Sequence, residues 1–209
     1  VPGVGIVKTV SVADTSLPET GASRFDPQSP DLAIGEIVTY RIVVSFPEAV
    51  SSNVTVTDFL PGSILQALPN TGLFEYLSAA IVRVGANLTV TGLGNLPVAS
   101  DRGNADGILD TVVFDLGTVT NAPDGVFDAG DEIEFTVTAR VRDAAANAAG
   151  RAPINVAEVD FRTGTARASA AVDIVEPFVR VDKTSSAASG DAGDRIAYQL
   201  QLPVGSINA

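Results

Sequence analysis

Glu132-Ile133-Glu134-Phe135-Thr136-Val137-Thr138-Ala139-Arg140-Val141 alternates strictly, with Ile133, Phe135, Val137, Ala139 and Val141 on one parity and charged residues and threonines on the other. An extended chain points every second side chain to the same face, so this segment reads as a half-buried strand of an antiparallel sheet. Similar runs rich in Val, Ile, Thr and Phe occur at residues 4–12, 37–46, 53–60, 81–90, 110–117 and 154–161. Such residues suit a pleated surface packed on one side. Leu60-Pro61-Gly62, Pro69-Asn70-Thr71-Gly72 and Pro123-Asp124-Gly125 supply turns between the runs. Helix signals are nearly absent; the Ala-rich stretch at 143–150 reads as a short helical turn or a loop. The expected fold is all-β, an immunoglobulin-like antiparallel β-sandwich of about seven strands.

The 209 residues allow one large or two small domains. With 45% hydrophobic and 18% charged residues, the chain can bury a core and lacks the composition of a disordered segment. Thirteen Lys and Arg against 25 Asp and Glu give a net charge of -12, which repels phosphate backbones and anionic lipid surfaces. Nucleic acid is therefore not an expected partner. His, Cys, Met and Trp are all absent. Thiol nucleophiles, disulfides, histidine bases, Cys/His zinc sites and Ser-His-Asp triads are thereby excluded together. No apolar run approaches the ~20 residues of a membrane helix, so no membrane span is expected. The start, Val1-Pro2-Gly3-Val4-Gly5, reads as a processed or internal beginning.

The two ends of the chain resemble each other. Val7-Lys8-Thr9 recurs as Asp182-Lys183-Thr184, and Gly35-Glu36-Ile37-Val38-Thr39-Tyr40 recurs as Gly193-Asp194-Arg195-Ile196-Ala197-Tyr198. The shorter spacing in the second copy makes residues 15–32 an insertion in the first. The expected organisation is a domain at 1–175, followed at 176–209 by the first two strands of an incomplete repeat or by a strand-donating tail. Two strands alone are marginal in water, so a further repeat or a neighbouring copy is expected to complete them.

Three polar residues break the in/out pattern. Lys8 shares the parity of Val4, Ile6, Val10 and Val12; Asp58 shares that of Val54 and Val56; Asn155 shares that of Ala157, Val159 and Phe161. Burying an unpaired charge costs several kcal/mol, so three inward polar groups are expected to meet one another or to lie at the edge of the core. Desolvation favours the neutral amine of Lys8 and the acid form of Asp58, and a neutral amine can attack the side-chain carbonyl of Asn155. Asp58 would polarise the carboxamide and shuttle protons, and an isopeptide bond would form with loss of ammonia. In a plainer arrangement, Lys8 reaches the rim to pair with Asp58 while Asn155 caps a loop. Lys183 shares inward parity with Val179 and Val181.

On these residues the chain resembles the repeat domains of large prokaryotic surface proteins, including isopeptide-forming fimbrial and adhesin repeats. The resemblance rests on Lys8-Thr9, Gly35-Glu36-Ile37-Val38-Thr39-Tyr40, Val54-Thr55-Val56-Thr57-Asp58-Phe59-Leu60-Pro61, Phe114-Asp115-Leu116-Gly117-Thr118-Val119 and Asn155-Val156-Ala157-Glu158-Val159. It implies crosslink roles for Lys8, Asp58 and Asn155. It also implies a building block of an extracellular stalk, fibre or adhesin at the cell surface, whose partners are neighbouring copies of itself or further repeats of a longer chain. It supplies no ligand.

Two acidic loops are candidate calcium sites, since hard cations take several oxygens and Gly permits a tight turn. The first, at 101–110, offers Asp101, Asn104, Asp106 and Asp110; the second, at 121–131, offers Asp124, Asp128 and Asp131. The first is not an EF-hand, because Arg102 occupies the first ligand position and no Glu stands at the twelfth. A strand of ~3.3 Å per residue between them separates the loops by roughly 25 Å, which makes two sites rather than one. Asp, Asn and Gly also build ordinary turns. No cofactor is required, and calcium is the one candidate. Leu17-Pro18-Glu19-Thr20-Gly21 spells a sortase motif, but a folded domain follows it, so it reads as part of the insertion. Asn53-Val54-Thr55 and Asn87-Leu88-Thr89 fit the glycosylation sequon within expected strands.

The leading expectation is a structural module whose only chemistry is a single-turnover crosslink. An adhesin module binding glycan or protein through its end loops is the alternative, although no Trp and few Tyr leave little surface for sugar stacking. A hydrolase using Asp128 and Asp131 lacks any sign of desolvation in that turn-rich loop. No small-molecule substrate is expected.

Overall fold

The computed structural model describes residues 3–13, 29–62, 72–102, 105–175, 177–178, 181–201 and 206–207. The sortase-like Leu17-Pro18-Glu19-Thr20-Gly21, most of the 15–32 insertion and Asn104 lie outside the described residues. The chain is all-β. Its strands are β1 (Gly5–Ala13), β2 (Asp31–Leu32), β3 (Ile37–Ser45), β4 (Val50–Phe59), β5 (Phe74–Val84), β6 (Leu88–Val90), β7 (Val98–Ser100), β8 (Thr111–Asn121), β9 (Glu132–Val141), β10 (Ile154–Phe161), β11 (Gly164–Ala171) and β12 (Asp173–Ile174). Four short strands follow, β13 (Pro177–Phe178), β14 (Asp182–Ser185), β15 (Tyr198–Gln201) and β16 (Ser206–Ile207).

Two antiparallel sheets form an immunoglobulin-like sandwich. One runs β1-β3-β9-β5; the other runs β11-β10-β4-β8-β6, with β7 also paired to β8. The decisive β9 segment lies between β3 and β5, and Ile133, Phe135, Val137, Ala139 and Val141 are all buried. They face Val54, Val56, Val112, Phe114, Leu116, Ala157 and Val159 from the other sheet in one hydrophobic cluster. Phe135 of β9 meets Phe114 of β8 with ring centroids 4.8 Å apart, joining the layers at a tilted aromatic contact. A parallel pair of β2 with β12 ties the approach to β3 to the exit from β11.

The structure departs from the sequence reading in places. The expected 81–90 strand is broken, because Gly85 folds against β9: its N–H bonds Glu132 O at 2.8 Å, and a Cβ there would lie 2.1 Å from Gly130 O. Asn87 therefore stands in a turn between β5 and β6, while Asn53 sits in β4. The sandwich has more strands than expected. β11, Gly-Thr-Ala-Arg-Ala-Ser-Ala-Ala from Gly164, carries side chains too small to give a hydrophobic alternation. The 143–150 stretch is turn and loop, and Asn147 fixes it by donating to Leu73 O at 2.7 Å and Arg142 O at 2.9 Å. The only helical turn among the described residues is a 3-10 turn at Ala129–Asp131.

Candidate functional site

Three strands aim the inward polar groups. Lys8 comes from β1 in the four-stranded sheet, and Asp58 and Asn155 come from the adjacent strands β4 and β10 of the other. On β4 and β10, Asp58 stands opposite Ala157, so Asn155 is its diagonal neighbour on the same face. A bulge can slip side-chain parity, and β1 and β4 each carry one. In β1 the irregularity lies between Val10 and Val12, beyond Lys8. In β4 it surrounds Ser51 to Thr55, where Asn53 takes φ of 55°. Val56 and Asp58 lie past it in regular pairing with Phe114 and Val112.

The three groups converge in the core. Lys8 Nζ donates to Asp58 Oδ1 at 2.6 Å, and Asn155 Nδ2 donates to Asp58 Oδ2 at 3.3 Å. The side chains of Lys8 and Asp58 are fully shielded from solvent, and Asn155 is buried. Lys8 thus does not reach the rim, and Asn155 does not cap a loop. Burial pulls the Lys8 ammonium below its ordinary value, opposed by the charge and hydrogen bond of Asp58. Asn155 Oδ1 has no hydrogen-bond partner among the described residues.

Tyr40 completes the cluster, and the sequence reading assigned it no role. Lys8 pairs with Ile42 and Val10 with Tyr40, so Tyr40 is the diagonal neighbour of Lys8 across β1 and β3. Lys8 Nζ lies 4.9 Å from the Tyr40 ring centroid, a cation–π contact in a dry setting. Burial first, then the negative charge of Asp58, push the Tyr40 phenol far above its ordinary value. Its hydroxyl also has no hydrogen-bond partner among the described residues. The signal that could have found it is the repeat, in which a Tyr closes both copies of the Gly-Glu/Asp motif.

The acidic loops do not join this site. Asp101 accepts from Gly107 N at 2.7 Å, and Asp106 accepts from Gly72 N at 2.5 Å and Ile108 N at 2.9 Å. Asp110 is buried and accepts from Thr111 Oγ1 at 3.1 Å. In the second loop Asp124 accepts from Val126 N and from Asn87 Nδ2. Asp128 and Asp131 form a capping box: Asp128 accepts from Gly130 N at 2.6 Å and Asp131 accepts from Asp128 N at 3.0 Å. Asn87 Nδ2 also donates to Asp131 at 3.1 Å. These contacts hold Asp131 below the usual carboxylate range, the Asp128 backbone N–H contributing most. Among the described residues no group of three or more acidic side chains is gathered for a metal.

Fold and site together define an immunoglobulin-like β-sandwich with a buried Lys-Asp-Asn cluster bridging its two sheets. No protein-family model matches the chain, and no curated protein sequence matches it. Among solved structures it is similar to BcpA, the major pilin subunit of Bacillus cereus, at 14% identity and a TM-score of 0.44 over 86% of this chain and 42% of that one. It is also similar to the N-terminal domain of the Streptococcus gordonii adhesin Sgo0707, at 11% identity and 0.41 over 81% of this chain and 32% of that one. The full-length major pilin SpaD from Corynebacterium diphtheriae gives 16% and 0.39 over 86% and 35%. The chain spans less than half the length of each. At these values the likeness concerns the strand arrangement and carries no argument about what the protein does.

Proposed function

We propose that this chain is a structural building block of an extracellular fibre, stalk or cell-surface protein, locked by a self-made isopeptide bond between Lys8 and Asn155. One observation carries this reading: a solvent-free carboxylate, Asp58, holds the amine on one oxygen and the carboxamide on the other. Transfer of one proton along the 2.6 Å contact turns the Lys8–Asp58 ion pair into a neutral amine and a carboxylic acid. The Lys8 lone pair then attacks Asn155 Cγ, the carbonyl π pair moves to Oδ1, and a tetrahedral intermediate forms. Asp58 relays protons from the attacking nitrogen to the departing one. The Cγ–Nδ2 bond breaks, ammonia leaves, and a Lys–Asn amide remains with no external reactant used. The reaction occurs once per chain, so no turnover follows.

Such a bond would tie an edge strand of one sheet to a strand of the other, enclosing residues 8–155 in a covalent loop. In the chain-entropy model a loop of that size stabilises by about 5 kcal/mol. A cysteine-free chain gains from this what a disulfide supplies elsewhere. Intact mass after denaturation tests it. The expected mass is one ammonia below that of the sequence, with a branched peptide joining Lys8 to Asn155 after digestion. A chain of full sequence mass would overturn the crosslink.

Assembly follows from the tail. β14 and β15 pair Lys183 with Leu200 and Ser185 with Tyr198, the same register in which β1 and β3 pair Lys8 with Ile42 and Val10 with Tyr40. Lys183 Nζ lies 4.3 Å from the Tyr198 ring. Val181, Tyr198 and Leu200 are more than half exposed, whereas Tyr40 and Ile42 are buried. A neighbouring copy or a further repeat is the proposed cover for this face, which makes the partner another β-sandwich surface.

A further inference from the structure

The buried cluster contains two atoms without hydrogen-bond partners, and they are complementary. Among the described residues Tyr40 Oη is a donor that lacks an acceptor, and Asn155 Oδ1 is an acceptor that lacks a donor. Both residues are shielded completely from solvent. Tyr40 contacts Lys8 through its ring, and Asn155 contacts Asp58 through Nδ2, so both belong to the one Lys8–Asp58 pair. An unsatisfied buried hydroxyl is a standing cost, and Phe would fill the same space under Lys8 without it. Yet the chain sets a Tyr diagonally beside a Lys twice, at Lys8–Tyr40 and at Lys183–Tyr198, in the same register, although the flanking residues differ. Packing alone does not explain the hydroxyl.

We infer that Tyr40 is the oxyanion donor of the crosslinking reaction, its Oη–H bonding to Asn155 Oδ1 as the carbonyl takes on negative charge. This rests on the proposed Lys8–Asn155 reaction and assigns a role in it. When the amine adds to Asn155 Cγ, the π electrons collect on Oδ1, an atom to which no described residue donates in the ground state. A donor that forms its bond only as charge develops stabilises the transition state rather than the reactant. Tyr40 keeps its proton throughout; the electron pair returns to reform the carbonyl as ammonia leaves. Asp58 remains the proton carrier, so the two groups divide the work between oxygen and nitrogen.

The test follows crosslinking in time, using the full chain made by cell-free synthesis and sampled by intact mass. Tyr40→Phe is expected to lose ammonia about 100- to 1,000-fold more slowly than the natural chain, the range for removing one oxyanion donor, while its melting before crosslinking equals or exceeds that of an uncrosslinked natural chain. Difluorotyrosine at position 40, a near-isosteric and more acidic phenol, is expected to crosslink at least as fast as tyrosine and decides the matter if Tyr40→Phe does not fold. A Tyr40→Phe rate equal to the natural one, or a difluorotyrosine rate as slow as that expected for Phe, would overturn the assignment and leave the crosslink itself standing. A natural chain that never loses ammonia would overturn both.

Discussion

Lys8 and Asn155 bind the two oxygens of one buried carboxylate, Lys8 at Oδ1 and Asn155 at Oδ2 of Asp58, from opposite sheets of the sandwich. Strand pairing within a sheet cannot produce this arrangement, because Lys8 shares no ladder with either partner. It exists only when the two layers are packed.

Removing the amine should be the most damaging single change. Lys8→Ala prevents the proposed crosslink and so forfeits the roughly 5 kcal/mol of the covalent loop; against Asn155→Ala, which keeps the ion pair but cannot crosslink, it costs about 3–5 kcal/mol by leaving Asp58 buried without its cation. Thermal melting of Lys8→Ala against the natural chain measures it. Replacing both charges, Lys8→Met with Asp58→Leu, should melt above Lys8→Met alone, since a well-packed apolar pair carries no unpaired charge. A double variant no more stable than the single one would mean that Asp58 is not the source of the penalty.

A chain unable to crosslink should show a pH dependence that the locked chain lacks. Burial lowers the pKa of Lys8 in the folded state below its ordinary 10.5. Between the folded and unfolded values the unfolded chain binds more protons, so stability rises with pH across that window and levels off near 10.5. Asn155→Ala keeps Lys8 as a free amine and should show this slope in denaturant melts. In a natural chain locked as proposed Lys8 is an amide, and the slope should vanish.

Crosslinking should be indifferent to pH while the Lys8–Asp58 pair keeps its shared proton, because the neutral amine forms by transfer within the pair, and should slow once rising pH removes that proton and leaves Asp58 none to relay. Initial rates from intact mass at several pH values check this. A rate that climbs steadily with pH would contradict proton transfer within the pair.

Truncation after Val175 should leave the sandwich intact and remove assembly. Val172, Ile174 and Val175 are buried, so the cut must spare them, whereas the β14–β15 hairpin is exposed but for the half-buried Asp182. The truncated chain is expected to melt within a degree or two of the full one and to remain monomeric by light scattering. Polymers formed without the hairpin would remove it as the contact.

The acidic loops should behave as turns. The described carboxylates already accept backbone or side-chain donors, so melting in millimolar calcium and in chelator is expected to coincide; a midpoint raised by calcium would assign it a site. Asp131, held below the usual carboxylate range, contributes stability that is present above 3.8 and is lost as pH falls through its lower folded value. Asp131→Asn should flatten that part of the acid transition.

Much of the fold was legible because its strands obey one physical rule. β9 and β10 begin and end where the alternation of their side chains begins and ends. β11 was not legible, since Ala166, Ala168 and Ala170 are too small to distinguish a packed face from a solvated one. The break at Gly85 was hidden too, because it depends on the close approach of Gly130, a residue far along the chain. Of the candidate site, Lys8, Asp58 and Asn155 were visible as violations of the pattern. Tyr40 was not, because an aromatic residue on an apolar face looks like ordinary core until its hydroxyl is found without a partner.

The sequence by itself determined that strands would form, which face of each would be buried, and that three polar side chains would point inward, because a period of two is a local property of the extended backbone. Only the tertiary structure decided that those three meet. Register between β4 and β10 sets Asn155 beside Asp58, and the stacking of one sheet on the other brings Lys8 onto the remaining oxygen. Both depend on contacts between residues some 50 to 100 positions apart, which no local pattern encodes.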